Sequence, residues 1–221
     1  QKEKFLLFIM NKPILAIGTS GKLCSVSILL NQNDYITYNY NKNQVHSEKL
    51  IVMVDSVLRE TKLKLSDLEA IAVSIGPGSF TGLRIGLSAA KGLALGAELP
   101  LIPVNEFNAM AVQVNSYLKP NEAFNFAIKV NSDEVYFAKY KKEEEYFKQL
   151  SEIEVIKVKE IADKISTDEV IFGNNKYPNI SPINGVSSEY IAIWASLFGK
   201  DLLTYNFDYL EPNYIKNFTV R

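Results

Sequence analysis

Two short turns hold most of the residues able to do chemistry. Gly76-Pro77-Gly78-Ser79-Phe80-Thr81-Gly82 follows the apolar run Ile71-Ala72-Val73-Ser74-Ile75 and precedes the helically spaced Leu83 and Leu87. A strand, a glycine turn and a helix start aim backbone N–H groups and a positive dipole end at whatever lies above the turn. Ser79 and Thr81 both suit the capping position of that helix. Thr19-Ser20-Gly21-Lys22 forms a second turn between two apolar runs, with the hydroxyls and glycine of a phosphate-cradling hairpin and equally of an ordinary one. Thr19, Ser20, Gly76 and Gly78 are thus candidates to touch a nucleotide, with plain turn formation as the other reading.

Neither familiar nucleotide signature is present. A Walker A loop needs four residues between its glycines followed by Lys-Ser/Thr, whereas Leu83-Arg84 follows Gly82 here. A dinucleotide fingerprint needs a glycine where Thr81 stands. Cys24 and His46 are the sole cysteine and histidine, so no intrachain disulfide and no ordinary Cys/His metal site can be assembled. No catalytic or metal-binding residue is assigned, and the lone thiol fits a reducing, cytoplasmic setting. His46 caps or packs at the start of its helix.

The helix after the glycine turn carries Gly82, Gly86, Ala90 and Ala94 at four-residue spacing, a stripe of small side chains on one face. Glycine inside a helix costs roughly 1 kcal/mol relative to alanine, so a close neighbour against that stripe is expected. The neighbour is either the chain itself or a helix of a partner. Arg84, near the start of this helix, either meets a partner carboxylate or stays solvated.

The elements that position these turns follow from periodicity. Ile14–Ile17, Leu23–Leu30 and Tyr35–Tyr40 read as three strands joined by short turns. Leu50, Met53, Val54, Val57, Leu58 and Thr61 mark one face of a helix from Ser47. Leu68–Ile75 is a strand, Phe80–Leu95 a helix, Leu101–Val104 a strand and Asn105–Leu118 a helix capped by Asn105. This β-β-β-α-β-α-β order is a mixed sheet with helices on it. A boundary is expected near Lys119-Pro120-Asn121, giving an N-terminal lobe over 10–118 and a smaller one over 119–221. In the latter, 124–130, 134–141, 152–158 and 170–173 read as strands, and 158–165 and 187–198 as helices. Lys142-Glu143-Glu144-Glu145 reads as a solvated charged turn, and the aromatic tail from Tyr205 to Arg221 as extended across the surface.

With 221 residues, 47% hydrophobic and 22% charged, the composition is that of a globular protein with room for a substantial core. A formal net charge of -1 disfavours a strongly electrostatic nucleic-acid binder. Phe5–Met10 is too short for a signal-peptide core, and Met10 is expected to be the true start. No run approaches a membrane span.

Three segments together resemble one family. Gly76-Pro77-Gly78-Ser79-Phe80-Thr81-Gly82-Leu83-Arg84-Ile85-Gly86, His46-Ser47-Glu48-Lys49-Leu50 and Ile14-Leu15-Ala16-Ile17-Gly18-Thr19-Ser20 look like the TsaB (YeaZ) family, bacterial subunits used in making threonylcarbamoyladenosine in tRNA. The resemblance implies an α/β fold of the actin-like ATPase, ribonuclease-H-like kind, with two related lobes of mixed sheets and the second reduced. It also implies a larger catalytic paralogue, TsaD, that binds metal through two histidines at i and i+4. Here those positions are His46 and Leu50, and a single histidine cannot hold a catalytic metal alone. Gly18 stands where the wider fold has an aspartate near its metal–phosphate centre. Lys129-Val130-Asn131-Ser132-Asp133 departs from the family's Asp-Ala-Arg-like run.

What the resemblance implies is therefore a non-catalytic scaffold that binds TsaD through a bundle of the first two helices. His46, Leu50, Val54, Gly82, Arg84, Gly86, Ala90 and Ala94 are its candidate interface residues. The same surface could pair two copies of this chain. TsaE would join the assembly, tRNA would be met only through the complex, and ATP or ADP would sit at the TsaB–TsaD junction, with no cofactor in the isolated chain. The alternative is an independently active enzyme of the same fold, a small-molecule kinase or a glycoprotease-like metallopeptidase. Phosphoryl transfer wants carboxylates to hold Mg²⁺, and none stands at the first turn.

Overall fold

The computed structural model describes residues 10–31, 33–42 and 45–215. All of the Phe5–Met10 run except Met10, and the tail beyond 215, lie outside the described residues. The first half runs β1 (Ile14–Gly18), β2 (Leu23–Leu29), β3 (Tyr35–Asn41), α1 (His46–Thr61), β4 (Ala70–Gly76), α2 (Phe80–Ala97), β5 (Leu101–Asn105) and α3 (Glu106–Val114). The second half adds β6 (Ala123–Lys129), β7 (Glu134–Lys142), β8 (Phe147–Gln149), β9 (Glu154–Lys157), α4 (Ile161–Lys164), β10 (Val170–Gly173), β11 (Ser181–Pro182) and α5 (Ser188–Phe198).

Strand alternation sets the layering, because successive side chains leave opposite faces of a sheet. In β1, Leu15 and Ile17 face a core shared with α1 and α2, while Ile14 and Ala16 face a core shared with α3 and α5. In β6, Phe124 and Phe126 face that second core from the other side, and Ala127 faces a third core containing Ile161 of α4. Helices α3 and α5 are thus sandwiched between two sheets, with helices on both outer faces. Alanines at 16, 70 and 72 of the first sheet meet alanines at 109, 111, 192 and 195 of the helices, which suits close approach of helix to strand.

The two sheets repeat one plan. The first has the order β3-β2-β1-β4-β5, and the second β8-β7-β6-β10-β11, with β9 also paired to β7. In each, the first three strands are antiparallel neighbours and the last two add in parallel. This is the doubled arrangement of the actin-like ATPase, ribonuclease-H-like fold. The second copy is reduced, with a two-residue β11 and a four-residue α4.

The chain does not stay with the second sheet after residue 119. Helix α5 returns to pack on β1 and β2 of the first sheet, and Thr204 bridges to Leu101 of β5. Its N-terminus is stitched there by hydroxyls: Ser188 bonds both Ser25 (2.7 Å) and Ser27 of β2. Those serines occupy the α5 side of a strand whose Cys24, Val26 and Ile28 face the opposite core. The expected charged turn also changes at its first residue. Lys142 is buried, and its Nζ donates to Asn115 Oδ1 at 2.6 Å and to the Glu145 carbonyl, burial favouring its neutral form.

Candidate functional site

The two turns meet at one end of the sheets. Thr19 Oγ1 donates to the Gly82 carbonyl at 2.8 Å, and the Ser79 amide donates to the Ser20 carbonyl at 2.6 Å. Gly76 has φ +97°, a conformation that favours glycine, and follows a bulge in the β4–β5 pairing. Of the two capping candidates, Ser79 takes the position and accepts from the Gly82 amide. The joined turns form one wall of a cavity of about 850 Å³ between the lobes, within the usual range of ligand sites. Its other walls come from the starts of α1 and α3 and the ends of β6 and β7, through His46, Glu106, Met110, Lys129 and Tyr136.

The candidate nucleotide residues separate at this point. Ser20 and Gly78 line the cavity. Thr19 is buried and spends its hydroxyl on Gly82, and Gly76 faces Leu83 and the Asn213 backbone. These two hold the turns together.

The small-residue stripe points inward, which corrects its place among the partner-facing residues. A Cβ on Gly82 would overlap the Thr19 carbonyl, and one on Gly86 the Thr19 hydroxyl. Ala90 and Ala94 are fully buried against the first sheet, as are Leu50 and Val54 of α1. Side chains already packed in the chain's own core cannot also meet a partner without unfolding it. Arg84 is exposed but not solitary. Its Nε donates to the Tyr214 hydroxyl at 3.0 Å, and its guanidinium lies 3.9 Å from the centre of the Phe80 ring. The tail holding Tyr214 reaches this place across α2, where the Asn213 amide bonds the Ile75 carbonyl.

Glu106 is the site residue that the sequence did not announce. It follows the Asn105 cap, where an acidic residue ordinarily complements the helix dipole in solvent. Instead it is 1% exposed, and Ser74 Oγ donates to its Oε2 at 2.5 Å. Among the described residues, no hydrogen bond of ordinary geometry reaches its Oε1 or the Nε2 of His46, which is 8% exposed. Burial pushes the Glu106 carboxyl above the ordinary range, against the opposite pull of the Ser20 and Ser74 hydroxyls and the Val186 backbone. Among the described residues it is the sole acid lining the cavity, beside two lysines, Lys22 and Lys129. Burial likewise raises the Cys24 thiol to about 11, which leaves it a packing residue.

The end of β1 offers Gly18, where a Cβ would lie 3.0 Å from Ile191 Cδ1, and the one carboxyl present is held toward its neutral form. Among the described residues, no three His, Cys, Asp or Glu side chains cluster to hold an ion.

Comparison with known proteins decides the family. A family model described as "TsaD: tRNA N6-adenosine threonylcarbamoyltransferase" matches residues 40–187. The "tRNA threonylcarbamoyladenosine biosynthesis protein TsaB" of Escherichia coli is 30% identical over 92% of this chain and 94% of its own. The chain belongs to the TsaB family. The TsaB relative of Haemophilus influenzae is 38% identical over 61% of this chain and 56% of its own. Among solved structures, "YeaZ from Pseudomonas aeruginosa" covers 91% of this chain and 98% of its own with a TM-score of 0.74 and 21% identity. A second, described as similar to peptidase YEAZ from the same organism, reaches 0.79 at 22% identity, over 93% of this chain and 100% of its own. Both likenesses concern the fold, and they match a TsaB-family chain along nearly its full length. No described helix is long and apolar enough to cross a membrane.

Proposed function

We propose that this chain is a non-catalytic scaffold subunit that docks on TsaD, activates it, and so supports threonylcarbamoyl transfer to N6 of adenosine 37 of tRNA. The observation that carries the reading is the match to the Escherichia coli TsaB across nearly the whole of both chains. The TsaD-type family model over 40–187 supports the choice of partner. Cytoplasmic action goes with this reading.

The docking surface is the outward face of α1 and α2 rather than the buried stripe. Ile51 and Val52 of α1 are exposed, and so is Leu95 of α2, at 71%. Gly92 and Gly96 sit beside Leu95 with open space where a Cβ would be. An apolar helix pair with glycines facing out suits close contact with a second helix pair. The same face could pair two copies of the chain when TsaD is absent. TsaE completes the assembly, any ATP or ADP lies at the junction of the subunits, and tRNA is met through the complex.

Size-exclusion chromatography with light scattering, with and without TsaD of the same organism, tests the reading. The wild type should form a complex, and Gly92→Arg or Leu95→Arg should stay folded by circular dichroism and bind roughly tenfold or more weakly. Equal binding by both variants would move the interface elsewhere. Modification of tRNA by the purified chain alone would overturn the scaffold reading.

A further inference from the structure

The first sheet ends in a strand edge that the rest of the chain leaves open. An edge strand presents a row of unpaired N–H and C=O groups, and proteins ordinarily cover it, shorten it, or place Lys, Pro or a bulge on it. The other edges here follow that practice. Thr204 bridges to Leu101 of β5, β11 has two residues, β8 has three with Lys148 at its centre, and β9 has four between Glu154 and Lys157. β3, with seven residues at the outer end of the five-stranded sheet, does none of this. It has no charge, no proline and no bulge against β2, and most of its residues are exposed. Among the described residues, only β2 bonds its backbone.

The ladder fixes which groups are free. The Asp34 carbonyl accepts from the Leu30 amide at 2.8 Å, and hydrogen-bonded pairs alternate along antiparallel strands. Ile36, Tyr38 and Tyr40 therefore turn their backbone groups to β2, and Tyr35, Thr37, Asn39 and Asn41 turn theirs to the open edge. Side chains alternate as well. Thr37 and Asn39 reach α5, donating to Glu189 at 3.1 Å and to Ser187 at 2.9 Å. Ile36 packs on the core under α1, and Lys49 of α1 lies 5.9 Å from the centre of the Tyr40 ring. Tyr38 and Tyr40 thus form an exposed aromatic row on the α1 side.

The strand is complementary to itself in one register. With two copies antiparallel about a two-fold axis at Tyr38, Thr37 faces the partner's Asn39 and Tyr35 faces the partner's Asn41, so every outward N–H and C=O is paired. On the α1 side Tyr38 meets the partner's Tyr38, Ile36 meets the partner's Tyr40, and at both ends Asp34 meets the partner's Lys42. Neither Asp34 nor Lys42 makes an ion pair among the described residues. Centring the pair on Thr37 or Asn39 instead sets Asp34 against Tyr40 or Lys42 against Ile36.

We propose that the open edge of β3 is a self-association surface, at which two copies of this chain pair antiparallel about Tyr38 and join their first sheets into one. Backbone hydrogen bonds and the aromatic row hold the pair, and the Asp34–Lys42 contacts set its register, since exposed ion pairs add little affinity. One strand pair is smaller than the interface of a stable dimer, so the association is weak, in about the micromolar to millimolar range. Helix α2 packs on β4, beyond β2 and β1 from this edge, so the contact is distinct from the helix face carrying Gly92 and Leu95.

Sedimentation equilibrium of the full chain from about 10 μM to about 1 mM reads the association, with circular dichroism to check that each variant is folded. The wild type should pass reversibly from monomer to dimer. Asp34→Lys, which meets Lys42 with a like charge, should raise the dissociation constant roughly tenfold, and Asp34→Lys combined with Lys42→Asp should return it to within about threefold of wild type. Amide exchange read by NMR should slow at Tyr35, Thr37, Asn39 and Asn41 as the concentration rises, with Ile36, Tyr38 and Tyr40 slow even when dilute. Tyr38→Cys, at the axis, should cross-link to its own copy on mild oxidation, and Tyr40→Cys, about 13 Å along from its counterpart, should not. Cys24 is buried with its thiol raised to about 11, and so gives no background. A monomer at every concentration, wild-type affinity in Asp34→Lys, no recovery in the double reversal, unchanged exchange at the outward amides, or cross-linking of Tyr40→Cys in place of Tyr38→Cys would each overturn the proposal. Dimers lost in Leu95→Arg and kept in Asp34→Lys would overturn it too, by placing the contact on the helix face.

Discussion

Glu106 and the inner glycines of α2 show how much one side chain can carry. Because burial raises the Glu106 carboxyl above its ordinary value of 4.5, the folded state holds a proton that the unfolded state releases as the pH rises. The associated stability is full below the ordinary carboxylate range and is lost as the pH climbs toward the raised value. Glu106→Gln has no proton to release. Its melting temperature should match wild type near about pH 4 and exceed it increasingly toward about pH 7.5, as read by differential scanning calorimetry. A gap that narrows with rising pH would contradict the assignment. The glycines give a second test. Gly86→Ala drives a methyl into Thr19 and should cost about 1–3 kcal/mol in urea denaturation. Gly92→Ala, with nothing near its Cβ, should be neutral or stabilising by up to about 1 kcal/mol. The pair separates the inner face of the helix from the outer.

Helix ends decide how the elements are joined. Asn105 caps α3 by accepting from the Phe107 amide at 2.9 Å, and it thereby fixes where Glu106 enters the helix. Asn105→Ala should cost about 1 kcal/mol by chemical denaturation. At α5 the Ser187 hydroxyl caps no backbone amide of the helix and donates instead to the Glu189 carboxylate. The orphan amide of Ser188 is met instead by Ser25 Oγ of β2, at 2.8 Å. Ser188→Ala removes one member of a buried hydroxyl group while Ser25 keeps Asn39 and Ser27 keeps Thr37, so a loss of about 1 kcal/mol is expected. That network is what ties a helix from the second half of the chain to the sheet of the first.

At the scale of the whole molecule the two halves on either side of residue 119 share a core. Ile14, Ala16, Ala70 and Ala72 lie under α3 and α5, and Phe124, Phe126 and Tyr140 close the same core from the second sheet. A fragment of residues 10–118 would expose that face of the first sheet and lose α5 and the Thr204 bridge. It should show no cooperative thermal transition, whereas the full chain should show one. A sharp transition in the fragment would mean that the lobe folds by itself.

The sequence alone determined the order and nature of the main elements, because alternation of period two, helical spacing and Gly/Pro punctuation are written into neighbouring residues. β1 to β5, α1 to α3 and the two turns, though not their junction, were legible in this way, as was the family from the run Gly76 to Gly86. The short β8 and β11 escaped because two or three residues carry no period. Only the tertiary structure decided which face of α2 is covered. A stripe of small residues records that something approaches closely, but not whether the neighbour is Thr19 of the same chain or a second protein. Only it could bury Glu106, return α5 to the first sheet and bring Tyr214 to Arg84, 130 residues apart. Each of these depends on contacts between residues distant along the chain. No local pattern encodes such contacts, since a residue's solvent exposure and electrostatic surroundings exist only once the sheets have closed around it.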